Sequence, residues 1–358
     1  MEFFFNAVRG HQGGREFYTA TVPFKMLKRL MSFDTGDVLD RSQRNVDPSR
    51  AKALATYLVE NPTSFVLPAL TGIVEDPDMR FEEFGDTGSG VGRLSLSLDA
   101  VIKLFDGQHR ATGIMQALRD YSGLQVNSIT IQLFKDMTLE ERQQAFSDIN
   151  ANAKAVSASL NMTYNRRNEV VNALADEVAK VIAWKGMIDH ERNIPGKTSN
   201  ALFSFRHVIT ASRLVIGVGN KSTLTSLEAL TITDVGFWWN AIAPVVEWDA
   251  VSSISSGETV SGAELTRLNT VMANSIAFTA AGLMALARVY PALKARYGSK
   301  LQMHKVPDAL RQIDWSKSND MWRGNLVDES GNMKSGTAGQ IAAAELIAEA
   351  VSSYLECM

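Results

Sequence analysis

The sequence of 358 residues has one cysteine, Cys357, beside its C-terminus. A lone cysteine forms no disulfide within the chain and supplies no cysteine metal cluster, which fits a reducing cytoplasm. The five histidines are scattered and never occur as His-Glu-x-x-His, so no metal site is predicted. A Gly-x-Ser-x-Gly segment is also missing, which leaves classical hydrolase chemistry without its nucleophile motif.

An excess of positive charge is missing as well, because 36 basic residues face 39 acidic ones and the net charge is −3. Blanket polyanion binding is therefore not expected, and a nucleic-acid site would have to be a local patch. The N-terminus lacks the charged and apolar regions of a signal peptide. The most apolar stretch, 271–290, contains Asn274 and Arg288, so a buried helix is predicted and a cytoplasmic protein without membrane contact is expected.

The first 155 residues mix strand and helix patterns, and residues 156–358 are mainly helical. Asp47-Pro48 supplies an N-cap and a first-turn proline for a helix that Asn61-Pro62 ends near Glu60. The patterns predict strands at 17–22, 65–74, 94–98, 101–105 and 128–134, and further helices at 111–118, 138–150, 166–186, 201–216, 234–248, 262–290 and 338–356. The predicted class is α+β, with domains at 1–155 and 156–358.

The glycine-rich tract 85–93 invites comparison with a phosphate-binding loop. It lacks the Gly-Lys-Ser/Thr ending of a Walker A loop, and no clear helix follows it. A flexible loop or the tip of a β-hairpin is the better interpretation.

Asp106-Gly107-Gln108-His109-Arg110 stands between a predicted strand and a predicted helix, and it is the most informative segment of the chain. A helix start presents unpaired N–H groups and partial positive charge, which suits phosphate. Gly107 permits close approach to the backbone, and Arg110 can donate to two phosphate oxygens. The plainer alternative is a capped turn, with Asp106 as N-cap and His109 and Arg110 merely solvated. On the functional interpretation Asp106 would orient Arg110 or hold Mg²⁺.

Two more polar clusters could reach the same site. One is the segment 41–45, Arg-Ser-Gln-Arg-Asn, and the other is 150–154, Asn-Ala-Asn-Ala-Lys. Each alone is weak, because a basic or Asn-rich turn is usually a solvated loop.

Taken in order, these segments carry a resemblance. The order of motifs and predicted elements is similar to the layout of the ParB/sulfiredoxin-like nucleotide-binding fold. This order is Gln-Arg, helix, strands, Asp-Gly-Gln-His-Arg, helix, strand, helix and an Asn-containing turn. The literal Asp-Gly-Gln-His-Arg resembles the DGQHR-domain proteins. Further segments resemble the DndB branch of that group, which is linked to bacterial DNA phosphorothioation. They are residues 7–10, Gln43-Arg44 before the Arg50 helix, residues 57–61 and residues 313–315.

The resemblance to ParB-like proteins implies nucleoside triphosphate binding, with ATP and Mg²⁺ as the expected ligands. Gly107, Gln108, His109 and Arg110 would then contact phosphate. The lesser candidates are Gln43, Arg44 and Asn152. If the protein is an NTPase, Asp106, Gln108, His109 and Arg110 form its active element, where Gln108, or His109 through a water, would position the attacking water and Arg110 would stabilise the charge.

The resemblance to DndB proteins implies repression of modification genes by promoter binding, with double-stranded DNA and other DNA-modification proteins as expected partners. Residues 192–221 and 288–307 contain no acidic residue, as a phosphate-contacting face would require. The alternative is that these basic residues pair with acids distant in sequence. The DNA-contacting candidates are Arg192, Lys197, Arg206, Arg213, Arg296 and Lys300.

Three functions remain open at this point: a DNA-binding regulator, an NTPase or NTP-driven DNA-processing enzyme, and an assembly subunit that senses modified DNA through partners. They are not exclusive, because a nucleotide can switch DNA affinity by favouring one conformation. The sequence leaves open the operator, the nucleotide's base and whether the protein is an oligomer.

Overall fold

The computed structural model describes residues 2–32, 46–85, 88–151, 155–196, 199–220, 222–223, 229–255 and 261–357. The chain divides into two compact units, Met1–Lys154 and Ala155–Met358. The first is mixed α/β and the second mainly helical, as the sequence predicts.

Within the described part of the first unit, eight strands form one mixed sheet in the order β3-β7-β4-β8-β2-β1-β6-β5. The strands are β1 (Glu2–Gln12), β2 (Arg15–Pro23), β3 (Met31–Ser32), β4 (Leu70–Glu75), β5 (Arg80–Glu83), β6 (Val91–Ser97), β7 (Val101–Asp106) and β8 (Ser128–Phe134). The helices are α1 (Phe24–Leu30), α2 (Pro48–Glu60), α3 (Gln108–Asp120) and α4 (Leu139–Ala151). β4 pairs antiparallel with β7 and parallel with β8.

The two faces of this sheet carry different helices because side chains alternate along each strand. Ile102, Leu104 and Ile131 are buried in one cluster with Leu27 of α1, Leu58 of α2 and Ile114 of α3. On the other face, Phe105 and Phe134 form a smaller cluster against which Phe146 of α4 packs. The end of β7 is therefore covered on both faces, which fixes the position of the residues that follow it.

One predicted strand needs correction, and three strands of this unit, β1, β3 and β5, were not predicted. The 65–74 prediction is too long, because β4 begins only at Leu70; Phe65 is instead stacked on Phe24, with ring centroids 5.9 Å apart. β1, which no pattern predicted, pairs with both β2 and β6. The 85–93 tract joins β5 to β6 as a hairpin, as predicted, with Glu83 opposite Gly92.

The second unit contains α5 (Ala158–Tyr164), α6 (Glu169–Val178), α7 (Phe205–Val215), α8 (Ala229–Ile242), α9 (Trp248–Ser255), α10 (Gly262–Asn274), α11 (Ala280–Tyr297), α12 (Val306–Leu310) and α13 (Thr337–Glu356). A two-residue parallel pair, β9 (Ile188–Asp189) and β10 (Phe203–Ser204), lies before α7. The core includes a cluster of Trp184, Trp239, Trp248 and Phe203 with centroid separations of 5.1–6.1 Å. No described helix is long and apolar enough to cross a membrane.

Three predicted helices of this unit are shorter than expected. The 262–290 pattern is interrupted at Ser275, where the chain leaves α10; the Ile276 N–H donates to Trp315 O, and Thr279 caps α11. The 166–186 pattern ends at Val178 and the 234–248 pattern at Ile242. In each case the apolar run continues past the end of the helix because buried apolar residues follow it, among them Val181, Ala243 and Ile276.

Candidate functional site

The candidate site lies where β7 passes into α3. Thr71 of β4 pairs with Asp106 whereas Gly72 pairs with Leu104, so Phe105 is an extra residue in β7. Such a bulge redirects the strand and commonly lies beside functional residues. The chain then turns at Gly107 and enters α3 at Gln108.

Gly107 is the N-cap of α3, with φ +96° and ψ 12°. This corrects the alternative in which Asp106 caps the helix, since Asp106 is the last residue of β7. A Cβ on Gly107 would lie 2.5 Å from Leu70 Cδ2 and 3.1 Å from Arg110 Nη2. Glycine has no side chain to cap the helix, so the N–H groups of the first turn receive no capping side-chain hydrogen bond.

Arg110 is held against this turn. Its Nη2 donates to Asp106 Oδ2 at 2.5 Å and to Ala69 O at 3.1 Å. Asp106 therefore orients Arg110, which is one of the two roles predicted for it. The Nε atom of Arg110 is buried and has no hydrogen-bond partner within the described residues.

Gln108 is 3% exposed, which is uncommon for a glutamine. Its Nε2 is buried and, like Arg110 Nε, has no hydrogen-bond partner among the described residues. Buried polar atoms are nearly always hydrogen-bonded, and leaving one unpaired costs about 1–3 kcal/mol. Because both unpaired atoms are donors, the group that would satisfy them is an acceptor such as an anionic oxygen.

His109 connects α3 to α2. The Asp47 N–H donates to His109 Nε2 at 3.0 Å, so this nitrogen is an acceptor and carries no proton. His109 and Arg110 each make specific hydrogen bonds, so the plainer alternative, in which they are merely solvated, is wrong. With Nε2 occupied by the Asp47 N–H, this atom is not available to position a water molecule.

α2 and α3 run parallel and in register. His109 meets Asp47, and one turn later a Cβ on Gly113 would lie 2.9 Å from Ala51 O and 2.8 Å from Leu54 Cδ2. The two helix starts are therefore side by side. Each contributes the equivalent of about half a positive charge, so their positive ends reinforce each other.

The carboxylates of the site are engaged locally. Asp47 Oδ1 accepts from the Ser49 N–H at 2.8 Å and from Ser49 Oγ at 2.7 Å, and these hydrogen bonds hold the pKa of Asp47 below its usual value. Asp47 thus caps α2 as predicted. Of the other predicted nucleotide-contacting residues, Gln43, Arg44 and Asn152 lie outside the described residues.

The DNA-contacting candidates do not form one patch. Arg213 is 6% exposed, its pKa is lowered by burial, and its Nη1 donates to Gly219 O at 2.6 Å. It is therefore a structural residue, and its assignment to a DNA-contacting face was wrong. Lys197 lies outside the described residues.

The exposed DNA-contacting candidates lie near the two ends of the helix pair α7 and α11. Trp248 packs against Phe203, just before α7, and donates from Nε1 to Ala277 O, just before α11. The packed helices α7 and α11 therefore begin at the same end. Arg206 follows the start of α7 and Arg296 precedes the end of α11, which separates them by about 20 Å along the axis at about 1.5 Å per residue.

Two exposed arginines, Arg192 and Arg206, lie near the same residue, Ser159. The Ser159 N–H donates to Asn193 Oδ1, next to Arg192, and the Arg206 N–H donates to Ser159 Oγ. At the other end, Arg296 donates to Ser352 Oγ at 2.6 Å and lies four residues before exposed Lys300. Lys294 pairs with Asp234 at 3.3 Å, so part of the acid-free window 288–307 is neutralised by an acid distant in sequence.

Together, these features define a mixed α/β unit whose uncapped helix start carries buried donors, followed along the chain by a helical unit with exposed arginines. A family model described as "DndB: DNA-sulfur modification-associated" matches residues 5–354. The chain therefore belongs to the DndB family, and the resemblance to DndB proteins inferred from its motifs is confirmed. The comparisons with curated proteins and with solved structures give no match.

Proposed function

We propose that the protein is a DNA-binding regulator of a DNA phosphorothioate modification operon, and that the start of α3 binds a nucleotide phosphate. Membership of a family associated with DNA-sulfur modification supports the first part. The geometry around Gly107 supports the second. The same proposal includes a ParB-like function for the first unit, which contains α3.

The observation that carries the nucleotide site is the pair of unpaired buried donors, Gln108 Nε2 and Arg110 Nε, at an uncapped helix start. An anionic oxygen would satisfy donors of this kind and would lie at the positive end of α3 beside that of α2. Asp106 occupies one edge of the Arg110 guanidinium, which fixes its plane without removing its charge. Nucleotide binding would favour one conformation of this region and so alter DNA affinity.

DNA contact is assigned to the exposed pairs Arg192 with Arg206 and Arg296 with Lys300. The separation of about 20 Å between Arg206 and Arg296 corresponds to about six base-pair steps of about 3.4 Å. The two ends of the helix pair would thus reach phosphates more than half a helical turn apart. Contacts of this kind set affinity and position but not sequence preference.

A gel-shift experiment tests this function with the promoter of the protein's own operon and a random duplex of equal length, across a salt series. The expected result is a preference for the promoter, and a slope of log K against log salt that becomes shallower by about one for each of Arg192→Gln and Arg206→Gln. Arg213→Gln, matched in charge change, should leave the slope unaltered because Arg213 is buried. Equal affinity for both duplexes would overturn the regulator proposal.

A second candidate function is an NTPase, favoured by one specific observation. The Asp106 carboxylate lies 2.5 Å from Arg110, which places an acidic group next to the donors expected to hold phosphate. A bound nucleotide would bring its Mg²⁺, which is held mainly by phosphates, water and one or two carboxylates. Arg110 would then stabilise the charge that develops during phosphoryl transfer.

Phosphate release from ATP with Mg²⁺ decides between a regulator that binds nucleotide and an enzyme that hydrolyses it. An NTPase requires turnover that falls at least tenfold in both Gln108→Ala and Arg110→Ala. Turnover that is absent, or equal in the wild type and both variants, would eliminate the enzyme and leave the regulator.

A further inference from the structure

A cavity lies in the helical unit. Its volume is about 460 Å³, within the range of about 300–1,000 Å³ usual for small-molecule sites. Residues of α5 and α6, the segment 184–190 and Phe205 at the start of α7 line it. All of these residues belong to the second unit, so the cavity is separate from the α3 site.

One wall of the cavity is aromatic. His190 is stacked on Phe205, with ring centroids 4.6 Å apart and an interplanar angle of 29°. Trp184, which is 2% exposed, lines the same cavity. Flat side chains of this kind favour a flat ring, because stacking on an aromatic side chain contributes about 1–3 kcal/mol per base in nucleic-acid sites.

The hydrogen bonds of His190 determine which of its ring nitrogens can accept. Thr163 Oγ1 donates its single proton to Ser159 O at 2.9 Å, so at 3.1 Å from His190 Nδ1 it acts as the acceptor. Nδ1 therefore carries the proton, and Nε2 of the neutral ring is left with a lone pair. Burial, which lowers the pKa of His190, favours this neutral form. A ligand that meets Nε2 must offer a donor, such as an exocyclic amine.

The polar rim of the cavity is positively charged on balance. Arg166 and Lys185 are exposed residues that line it, and Asp176 is the acidic residue among the described lining residues. An anionic group on the ligand would therefore be attracted to this rim. Arginine is well suited to bind a phosphate because its planar group can donate two parallel hydrogen bonds.

We propose that this cavity binds a nucleotide whose base carries an exocyclic amine, with the base on the His190–Phe205 stack and the phosphate at Arg166 and Lys185. The site goes beyond the function proposed above, because it uses none of the α3 residues. Its ligand is either a free mononucleotide or a nucleotide of a single DNA strand. The strand is a realistic source because Arg192 and Arg206, two DNA-contacting candidates, are near neighbours of His190 and Phe205 in sequence.

Calorimetric titration of the full chain tests this site with three probes: AMP, TMP, whose base has no exocyclic amine, and a single-stranded oligodeoxyadenylate. AMP or the oligonucleotide should bind saturably, and AMP should bind at least tenfold more tightly than TMP if the free nucleotide is the ligand. Binding of the oligonucleotide alone identifies a DNA strand as the source.

Variants locate the binding within the molecule. Arg166→Gln removes a cation, and His190→Phe keeps the stacked ring but loses the Nε2 acceptor; each should weaken binding at least tenfold. Arg167→Gln, the adjacent arginine outside the cavity lining, should bind as the wild type does. Gln108→Leu should lose only the binding that belongs to the α3 site and should keep the binding that Arg166→Gln weakens. Thermal unfolding checks that His190→Phe is folded. Because Arg166 is exposed, Arg166→Gln tests the same cavity without a risk of unfolding the protein.

Three results would overturn the proposal: no saturable binding of AMP or the oligonucleotide, AMP that binds but no more tightly than TMP, or binding of which Arg166→Gln and His190→Phe remove no part. Binding lost only in Gln108→Leu would place the nucleotide at α3 instead. That outcome would refute this cavity while supporting the function proposed for α3, so the two failures are distinguishable.

Discussion

Gly107→Ala tests the geometry of the site more sharply than any other stability variant. The residue has φ +96°, and an added methyl group would lie 2.5 Å from Leu70 Cδ2. Leu70 is fully buried in the core below α2 and α3, so it has little room to move. The variant therefore combines backbone strain with overpacking at the point where β7 enters α3.

The two contributions can be separated with a matched control. Gly14 has φ +77° in the β1–β2 hairpin, and an added Cβ there would have nothing within 4 Å. Gly14→Ala should cost only the left-handed backbone term, about 1 kcal/mol. Gly107→Ala should cost about 1–3 kcal/mol more, because overpacking a core is destabilising by that amount. Replacing Leu70 by Ala should recover part of this difference when the two changes are combined.

Urea denaturation measures these differences. All six tryptophans lie at or after residue 184, so their fluorescence reports on the second unit, whereas far-UV circular dichroism reports on both. The expected result is a loss of circular dichroism at lower urea in Gly107→Ala than in Gly14→Ala. Equal midpoints for the two variants would refute the argument that Leu70 closes the space beside Gly107.

Three further predictions concern residues outside the phosphate-contacting set. Arg213→Met should lower the free energy of unfolding by about 1.5–3 kcal/mol, because the hydrogen bond from the charged guanidinium to Gly219 O is lost; unaltered urea denaturation would contradict the structural role given to Arg213. His207 has its pKa lowered, first by burial and then by Arg206, so the unfolded chain takes up a proton more readily. Stability should therefore fall as the pH drops below about 6.5, and His207→Gln should flatten that dependence, whereas identical pH profiles would contradict it. Asp47→Ala should lower the urea midpoint because the α2 cap is lost, and an unaltered midpoint would contradict the stabilising role of this cap.

Local signals were sufficient for elements whose ends are set by their own residues. α2 begins at Pro48 after the Asp47 cap and ends before Asn61, as predicted. The glycine-rich tract lies at a hairpin because its neighbours alternate as strand residues do. The transition from β7 to α3 was also predicted, because Gly107 separates an apolar run from a helical one.

Features that depend on distant residues were not predictable in this way. The break at Ser275 relies on Trp315, 40 positions away along the chain, whose carbonyl accepts from the Ile276 N–H. A basic helix pattern does not reveal that Arg213 is buried, since its partner Gly219 is reached only after α7 ends. In the site, the Asp47-Pro48 cap was visible, but its position beside His109 comes from the packing of α2 on α3.

The central claim is that the start of α3 binds a phosphate oxygen through donors that are otherwise unpaired. Equilibrium binding of ATP, with and without Mg²⁺, to the wild type, Gln108→Leu and Gln116→Leu tests it most directly. Removing an unpaired buried donor should leave the unbound protein as stable or more stable, yet weaken ATP binding about tenfold or more, since a hydrogen bond to a charged group contributes about 1.5–3 kcal/mol. Gln116, two turns further along α3, should be replaceable without loss of affinity. ATP affinity that is the same in all three proteins, or absent in the wild type, would contradict the claim.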